Sequence, residues 1–198
     1  MNKSTKDTII EVATGLFADN GFDGASVRLI ALKAGVNLAA INYHFMNKQN
    51  LYHEVLRSGF NQFTLQLKKI ASKSKSTTDF SINLYRAWIK NGPRLINNFK
   101  VLLTNLPLPD DFMKKDNAGP PGAEYIQERL EQELGFKLKE EDALWASRVI
   151  FTFVTHTALM ASTHFGKQNC CDAFAQKSVE KSIKRLIQSV VNDLKSSR

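Results

Sequence analysis

A group of hydrogen-bond donors lies in the short stretch "INYHFMNK" (41–48). Asn42 has an amide that can pair with two atoms on the edge of one adenine, which is a base-reading chemistry. Tyr43 and His44 carry a hydroxyl and an imidazole, and Lys48, near the start of a predicted helix, adds a cation that can pair with a phosphate. Phosphate contacts position a protein on DNA and base-edge contacts specify the sequence. The stretch therefore predicts contact with duplex DNA.

The apolar residues around this stretch have the spacing of a helix-turn-helix. Ala31 offers a small side chain where a second helix can cross closely, and Gly35 can adopt the positive φ of a tight turn. Ile41 is then spaced to return into a small core, with Val36 and Phe45 beside it. An ordinary helical corner without a DNA-reading helix is the alternative reading of this spacing.

Three polar residues are placed to begin the helices of this region. Ser26 and Asn37 precede the two helices of the motif, and Asn47 precedes the next helix. Side-chain oxygens at such positions accept hydrogen bonds from the free backbone N–H groups of a first helical turn. For Ser26 the sequence leaves open whether its hydroxyl also contacts phosphate or acts as a cap only.

The segment "LFADNGFDGASVRLIALKAGVNLAAINYHFMNKQNLYHEV" resembles the N-terminal domain of the TetR (tetracycline-repressor) family of regulators. Its most specific part is the pattern Y-H-F-x-x-K-x-x-L. The resemblance implies a homodimer whose N-terminal domains bind a palindromic operator and whose helical C-terminal domain binds a small-molecule inducer. The shorter run "VNLAAINYHF" also resembles the fatty-acid-responsive PsrA-type branch of the family.

The predicted DNA contacts divide by chemistry. The resemblance implies that Tyr43 and His44 contact phosphate, although a half-buried Tyr43 that closes the small core is the alternative. Asn42 is the one side chain expected to read a base by paired hydrogen bonds, while Leu38 and its alanine neighbours press on thymine methyl groups. These contacts predict a DNA half-site that is weighted towards A·T base pairs. The complete predicted set is Ser26, Arg28, Asn37, Leu38, Ala39, Ala40, Asn42, Tyr43, His44 and Lys48.

The rest of the chain also has helical periodicity, and no strand pattern with a period of two appears. A long stripe from Tyr52 to Ile70 predicts one helix of five turns, and Asp79 is placed to cap the helix after it. Gly21 is expected to end the first helix, and the proline-rich run 107–122 is the long loop. We therefore predict an all-α fold with a helix-turn-helix domain at residues 1–50 and a helical ligand-binding and dimerisation domain at residues 51–198.

Two helices of the second predicted domain have apolar stripes suited to a dimer seam. In 148–165 one stripe contains Val149, Phe153, His156 and Met160, and a second contains Phe151, Thr155, Ala158 and Ser162. The last helix has a stripe of Val179, Ile183, Leu186, Val190 and Leu194. Two such helices from each subunit can form a four-helix seam. A single-chain core without a seam is the alternative.

Aromatic residues in the same region predict a hydrophobic or amphiphilic ligand. The candidate pocket residues are Phe60, Phe63, Trp88, Phe99, Trp145 and Phe151, for each of which plain core packing is the alternative. The segment 59–106 has a net charge of +7, from eight Lys/Arg and one Asp/Glu. Such a charge can attract an acidic headgroup, or it can be a solvated face that adds to DNA attraction.

Composition limits the remaining possibilities. The 198-residue chain has a net charge of +8, which favours an acidic partner such as nucleic acid. Its first residues lack the continuous apolar region of a secretory signal, so we do not expect export. No apolar run is expected to be long enough to span a membrane. The two cysteines, Cys170 and Cys171, are adjacent, so we expect a reducing cytoplasm and no disulfide framework. His156 and His164 are too far apart to share a metal, and we expect no cofactor.

These observations together predict a DNA-binding transcriptional regulator. We expect a homodimeric repressor that a hydrophobic or amphiphilic small molecule, such as a fatty acid or acyl-CoA, releases from its operator. Activation in place of repression stays open, as do a ligand-independent structural DNA-binding protein and a ligand-binding module without DNA affinity. No phosphate-binding loop, nucleophile elbow or zinc signature is present, so we do not expect an enzyme.

Overall fold

The computed structural model describes residues 4–103, 119–168 and 174–197, and these residues form helices joined by short connections. No strand occurs within the described ranges, which confirms the predicted all-α fold. The helices are α1 (Thr5–Gly24), α2 (Val27–Ala34), α3 (Leu38–Phe45), α4 (Lys48–Ala71), α5 (Thr77–Lys90), α6 (Gly92–Leu102), α7 (Ala123–Leu134), α8 (Glu140–Ser162), α9 (His164–Lys167) and α10 (Gln176–Ser196). Most of the predicted loop at 107–122 lies outside the described residues.

The chain folds as two compact units. The first contains the described residues of Met1–Phe63 and Arg94–Lys114, and the second contains those of Thr64–Pro93 and Lys115–Arg198. Helices α4 and α6 each have residues in both units.

The core of the first unit is built from α1 to α3, the first part of α4 and the end of α6. Its largest fully buried side chains are Phe17, Tyr52, Ile9, Ile30, Ile41 and Leu51. The Tyr52 hydroxyl donates to the Val101 carbonyl oxygen at 2.9 Å, which fixes the end of α6 to this core. The short helices of the predicted DNA-reading motif therefore rest on a core that also takes residues from far along the chain.

Helix α1 changes direction at Gly21. The backbone there has φ 68° and ψ 179°, which is non-helical and lies in a region open to glycine, and the helix resumes beyond it. The predicted end of the first helical run is thus a kink inside α1. After the kink, the Phe22 ring returns to stack on Phe17 at 5.9 Å between ring centroids and meets Tyr52 edge-on.

The core of the second unit is centred on α8, which packs against α5, α7 and α10. From α10, Val179, Ile183, Val190 and Leu194 are buried in this core. This corrects the prediction that the α10 stripe is available for a dimer seam, because its apolar side chains are already covered by their own chain. Of that stripe, only Leu186 is half-buried.

Two further sequence predictions need correction. Ser76, and not Asp79, caps α5, because the Ser76 hydroxyl oxygen accepts a hydrogen bond from the Asp79 backbone N–H at 3.0 Å. The α4 stripe is buried at Tyr52 and Leu67 near its two ends, but Phe60 is 42% exposed. The apolar periodicity alone predicted that the stripe is buried along its whole length. The middle of α4, however, lies where the chain passes from one unit to the other.

Helix α8 is the one described helix that is long and apolar enough, by length and composition, to cross a membrane. This corrects the expectation that no segment reaches that limit. Its side chains Ala146, Ile150 and Ala158 are buried against neighbouring helices of the second unit. Core helices satisfy the same length and composition criteria, and α8 occupies a core.

A two-pronged ion pair joins α5 to α10 in the second unit. Arg86 donates from Nε and Nη2 to the two carboxylate oxygens of Glu180 at 2.7 and 2.8 Å, and Gln176 also donates to that carboxylate. The Arg86 hydrogen bonds hold the pKa of Glu180 below its ordinary value. The ionised carboxylate is therefore more favourable in the folded chain than in the unfolded one.

We expect Glu180→Gln to lower the free energy of unfolding at neutral pH by about 1 kcal/mol or less, because Arg86 is half-exposed to solvent screening. Because the pKa of Glu180 is lower in the folded chain, the ion pair stabilises the fold at pH values above the unfolded pKa of about 4. This stabilisation is lost as the pH falls through the folded pKa. The difference between wild type and variant should therefore vanish in acid. Urea unfolding across this pH range measures it, and a difference that does not change with pH would contradict the assignment.

Candidate nucleic-acid interface

Helices α2 and α3 form the predicted helix-turn-helix. The Ser26 hydroxyl oxygen accepts from the Leu29 N–H at 3.1 Å, and the Asn37 side-chain oxygen accepts from the Ala40 N–H at 2.8 Å. Gly35 has φ 67° and ψ 31°, the left-handed conformation that ends α2. The Val36 N–H then donates to the Ala31 carbonyl oxygen at 3.0 Å. Both predicted caps and the predicted glycine turn are therefore present.

The inward side of α3 is apolar and buried. Ile41 is 1% and Phe45 is 2% exposed, and both pack in the core of the first unit together with Ala31 of α2. Val36, in the turn, packs partly buried against the same core. Burial of two large side chains from eight residues leaves little freedom for α3 to rotate, so its outward side is fixed.

The outward side of α3 presents the predicted base-reading residues. Tyr43 is 85% and Leu38 is 41% exposed, so the alternative of a half-buried Tyr43 closing the core does not apply. Asn42 and Ala39 are also exposed, whereas Ala40 is half-buried. The solvent-facing side of α3 therefore carries the Asn42 amide, the Tyr43 hydroxyl and the small or aliphatic side chains of Leu38 and Ala39.

The remaining predicted contacts occupy the borders of this surface. Arg28 is exposed in the first turn of α2, and His44 is half-buried beside Tyr43, with 5.2 Å between the two ring centroids. Ser26 and Asn37 are exposed but already use a side-chain oxygen for capping. For DNA they retain the hydroxyl hydrogen and the amide NH₂ as donors.

Lys48, the first residue of α4, is held by groups that the sequence analysis did not single out. Its Nζ lies 4.4 Å from the centroid of the Phe22 ring and donates to the Asp23 carbonyl oxygen at 3.4 Å. Both groups follow the kink at Gly21. Both groups lie in the sequence "GFDG", but their contact with a lysine 25 positions further along the chain depends on tertiary structure.

The connection from α3 to α4 is a strained three-residue turn at Met46. Met46 has φ 65° and ψ −47°, and the Asn47 N–H donates to the Phe45 carbonyl oxygen at 2.7 Å. This is a γ-turn of positive φ, which is rare for a residue with a side chain. The Asn47 side-chain oxygen then accepts from the Asn50 N–H and caps α4, as predicted. Methionine gives no sequence signal for such a turn.

The six predicted ligand-binding aromatics are divided between the two units. Trp88 is buried and meets Phe151 edge-on at 5.8 Å between ring centroids, both in the second unit. Trp145, also in that unit, is 41% exposed. Phe60, Phe63 and Phe99 belong to the first unit. A separate open hollow of about 390 Å³ beside the end of α7 is lined by other residues: Glu128, Glu131, Gln132, Gly135, Phe136 and Lys137.

The cysteines and histidines give no ligand cluster among the residues that the structure describes. Within those ranges, no group of three or more His, Cys, Asp or Glu side chains is placed to hold a metal ion. His156 and His164 are both exposed. Cys170 and Cys171 lie outside the described residues.

The N-terminal part of the chain is similar to known proteins. Residues 9–55 match the family of bacterial regulatory proteins, tetR family. The chain is 43% identical over 72 residues to the "Probable HTH-type transcriptional regulator YttP" of Bacillus subtilis. It is 34% identical over 58 residues to the "Biofilm operon icaADBC HTH-type negative transcriptional regulator IcaR" of Staphylococcus epidermidis. The matched segments cover 36% and 29% of this chain, and they span only 35% and 31% of those two relatives.

Solved structures extend the likeness to the whole fold. A transcriptional regulator (TerR/AcrR family) from Aquifex aeolicus superposes with a TM-score of 0.63 at 17% identity, covering 92% of this chain and 99% of that one. The TetR family transcriptional regulator PfmR from Thermus thermophilus superposes with a TM-score of 0.62 at 17% identity, covering 93% and 96%. At this identity the likeness shows the fold alone.

We expect opposite effects from two substitutions at the γ-turn. Met46→Gly removes the strain of a side chain at positive φ and should raise the free energy of unfolding by about 1 kcal/mol, after the entropy cost of glycine. Met46→Val should lower it by about 1 kcal/mol or more, because a branched side chain tolerates this backbone least. Thermal or urea unfolding compares the two. Equal stabilities for both variants would contradict the strained turn.

Proposed function

We propose that this chain is a ligand-responsive transcriptional repressor of the TetR family, whose N-terminal family model its residues 9–55 match. In this proposal the helix-turn-helix domain at residues 1–50 binds DNA, and surfaces within residues 51–198 bind the ligand and the second subunit. The relatives that it resembles are described as transcriptional regulators, and IcaR as a negative one, which supports repression. The site of action is the cytoplasm, where the operator DNA is accessible.

The observation that carries the proposal is the division of α3 into two sides. Ile41 and Phe45 are buried, while Asn42 and Tyr43 face solvent on the same short helix. A helix anchored in this way can enter a major groove with its free side against the base edges. Lys48 follows within one turn of the end of α3 and contacts a flanking phosphate, as Tyr43 and His44 do.

The operator that fits this surface is an A·T-weighted palindrome. Asn42 pairs with the N6 and N7 atoms of an adenine, while Leu38 and Ala39 contact thymine methyl groups. Small side chains also permit close approach of the α3 backbone to the groove. Arg28 lies at the border of the surface, and α3 itself contains no run of cations. Sequence reading therefore depends on DNA shape and methyl contacts more than on charge.

The second subunit binds through one side of α8. Val149, Phe153 and Met160 recur at helical spacing there and are only half-buried, and Trp145 is 41% exposed on the same helix. Half-buried apolar side chains along a helix of 23 residues are suited to pairing with their symmetry mates. In the proposed homodimer, this contact spaces two α3 helices for half-sites one helical turn apart.

The inducer is a hydrophobic or amphiphilic molecule, with a fatty acid or acyl-CoA as the preferred class. The half-buried Phe151 ring, which packs edge-on against the buried Trp88, supplies apolar surface in the second unit. Exposed lysines of the +7 segment, among them Lys69, Lys73 and Lys90, supply cations for an acidic headgroup. Ligand binding must favour the state that cannot bind DNA, since a ligand with equal affinity for both states shifts nothing.

A selected-sequence binding assay tests the proposed function. Duplexes that bind the purified chain are selected from a random-sequence pool. The most enriched duplex is then titrated with the protein, with and without long-chain fatty acids and acyl thioesters. We expect an A·T-weighted palindrome that is bound by a dimer and released by one ligand class. Enrichment of no sequence would indicate a structural DNA-binding protein, and absence of any DNA binding would contradict the proposal.

We expect Asn42→Ala and Lys48→Gln to affect binding in different ways. Asn42→Ala should cost about 1–3 kcal/mol per half-site and relax selection at one base position. Lys48→Gln should weaken binding to all DNA sequences nearly equally. It should also reduce the magnitude of the slope of log K against log salt by about one per subunit. The exposed Lys181 in α10 offers a matched control, since Lys181→Gln removes the same charge from the second unit. Loss of selectivity in Lys48→Gln would contradict these roles.

A further inference from the structure

The strongest unassigned arrangement in the chain surrounds the Lys48 ammonium. Lys48 Nζ lies over the face of the Phe22 ring, 4.4 Å from its centroid, and donates to the Asp23 carbonyl oxygen. We propose that Phe22 and the Asp23 carbonyl form a clamp that holds this ammonium in place for a DNA phosphate. This inference rests on the proposed phosphate contact of Lys48.

The first component of the clamp is an immobile ring. Phe22 stacks on Phe17 at an interplanar angle of 17° and meets Tyr52 edge-on at 82°. Phe17 and Tyr52 are both 0% exposed, so the ring rests on rigid core side chains. The face of an aromatic ring carries negative potential and attracts an ammonium. Phe22 therefore offers a fixed, uncharged cation site at the edge of the core.

The second component is a backbone carbonyl in the last turn of α1. Helix α1 ends at Gly24, so Asp23 is one of its last residues. A carbonyl in a regular helix is occupied by an N–H four residues later, whereas the last carbonyls of a helix are free for other donors. The Asp23 carbonyl is used in this way by Lys48, from 25 residues along the chain.

The clamp leaves a donor free for DNA. A lysine ammonium has three N–H donors, and the ring face and one carbonyl occupy two directions. The third remains available to a phosphate oxygen, so DNA does not need to displace the clamp. A lysine side chain otherwise loses much rotamer freedom when it makes a contact, and a side chain held beforehand loses less of it on binding. Phe22 is thus a positioning residue that acts through Lys48.

The test is a double-mutant cycle on DNA binding. Phe22→Leu keeps apolar bulk and removes the ring face, and Phe22→Tyr keeps the face as the matched control. Affinity is measured for the duplex selected by wild type and for mixed-sequence duplex DNA. We expect Phe22→Leu to lower both affinities roughly three- to tenfold and Phe22→Tyr to stay near wild type. In a Lys48→Gln background, Phe22→Leu should cost nothing further.

A purely structural role of Phe22 gives a different result. Destabilisation of the first unit by Phe22→Leu would lower affinity equally in the wild-type and Lys48→Gln backgrounds, which would overturn the inference. If Phe22→Leu does not fold, pentafluorophenylalanine at position 22 keeps the ring shape and reverses the potential of its face. The inference then requires an affinity loss with that ring when Lys48 is intact and no loss in the Lys48→Gln variant.

A second readout needs no DNA. Protons on the Lys48 side chain that lie over a ring face are shifted upfield in the NMR spectrum of the free chain, and Phe22→Leu should abolish the shift. An unshifted Lys48 in wild type would overturn the clamp. Failure of wild type to bind any DNA would instead contradict the proposed function, while the NMR result would still decide whether the ammonium is held.

Discussion

The burial of Ile41 and Phe45 is the constraint on which the rest of the first unit depends. These two side chains fix an eight-residue helix that is too short to be stable alone. Once they are buried, the helical period places Asn42 and Tyr43 outward. The scarcity of charge in α3 is therefore compatible with the proposed DNA recognition, in which the apolar residues divide between anchoring the helix and contacting methyl groups.

The connections on either side of α3 are as specific as its core contacts. Gly35 turns the chain into α3 through a left-handed conformation, and Met46 turns it out through a γ-turn. Asn47 then caps α4, whose first residue is Lys48. The ammonium of Lys48 returns to the kink that follows Gly21 in α1. Positive-φ residues thus determine where the proposed reading helix and the proposed phosphate anchor lie relative to the same small core.

Local sequence chemistry predicted much of this architecture. The caps at Ser26, Asn37 and Asn47 and the turn at Gly35 depend on neighbouring residues only, and all are present. What failed depends on packing between distant segments. Periodicity marks an apolar stripe without telling whether its own chain covers it, as at α10, or leaves it exposed, as at Phe60. The Phe22–Lys48 contact was missed for the same reason, and the turn at Met46 because a methionine gives no cue for positive φ.

The central claim is that a helix with almost no charge reads DNA while a few flanking cations hold the phosphates. The salt dependence of wild-type binding to its selected duplex measures this most directly, because its slope counts the phosphates neutralised. If Arg28 and Lys48 are the cations used by each subunit, a dimer should give a slope of log K against log salt of about −4. A slope of about −10 or steeper would contradict the account, because it would require about eleven neutralised phosphates, far more than two cations per subunit can contact.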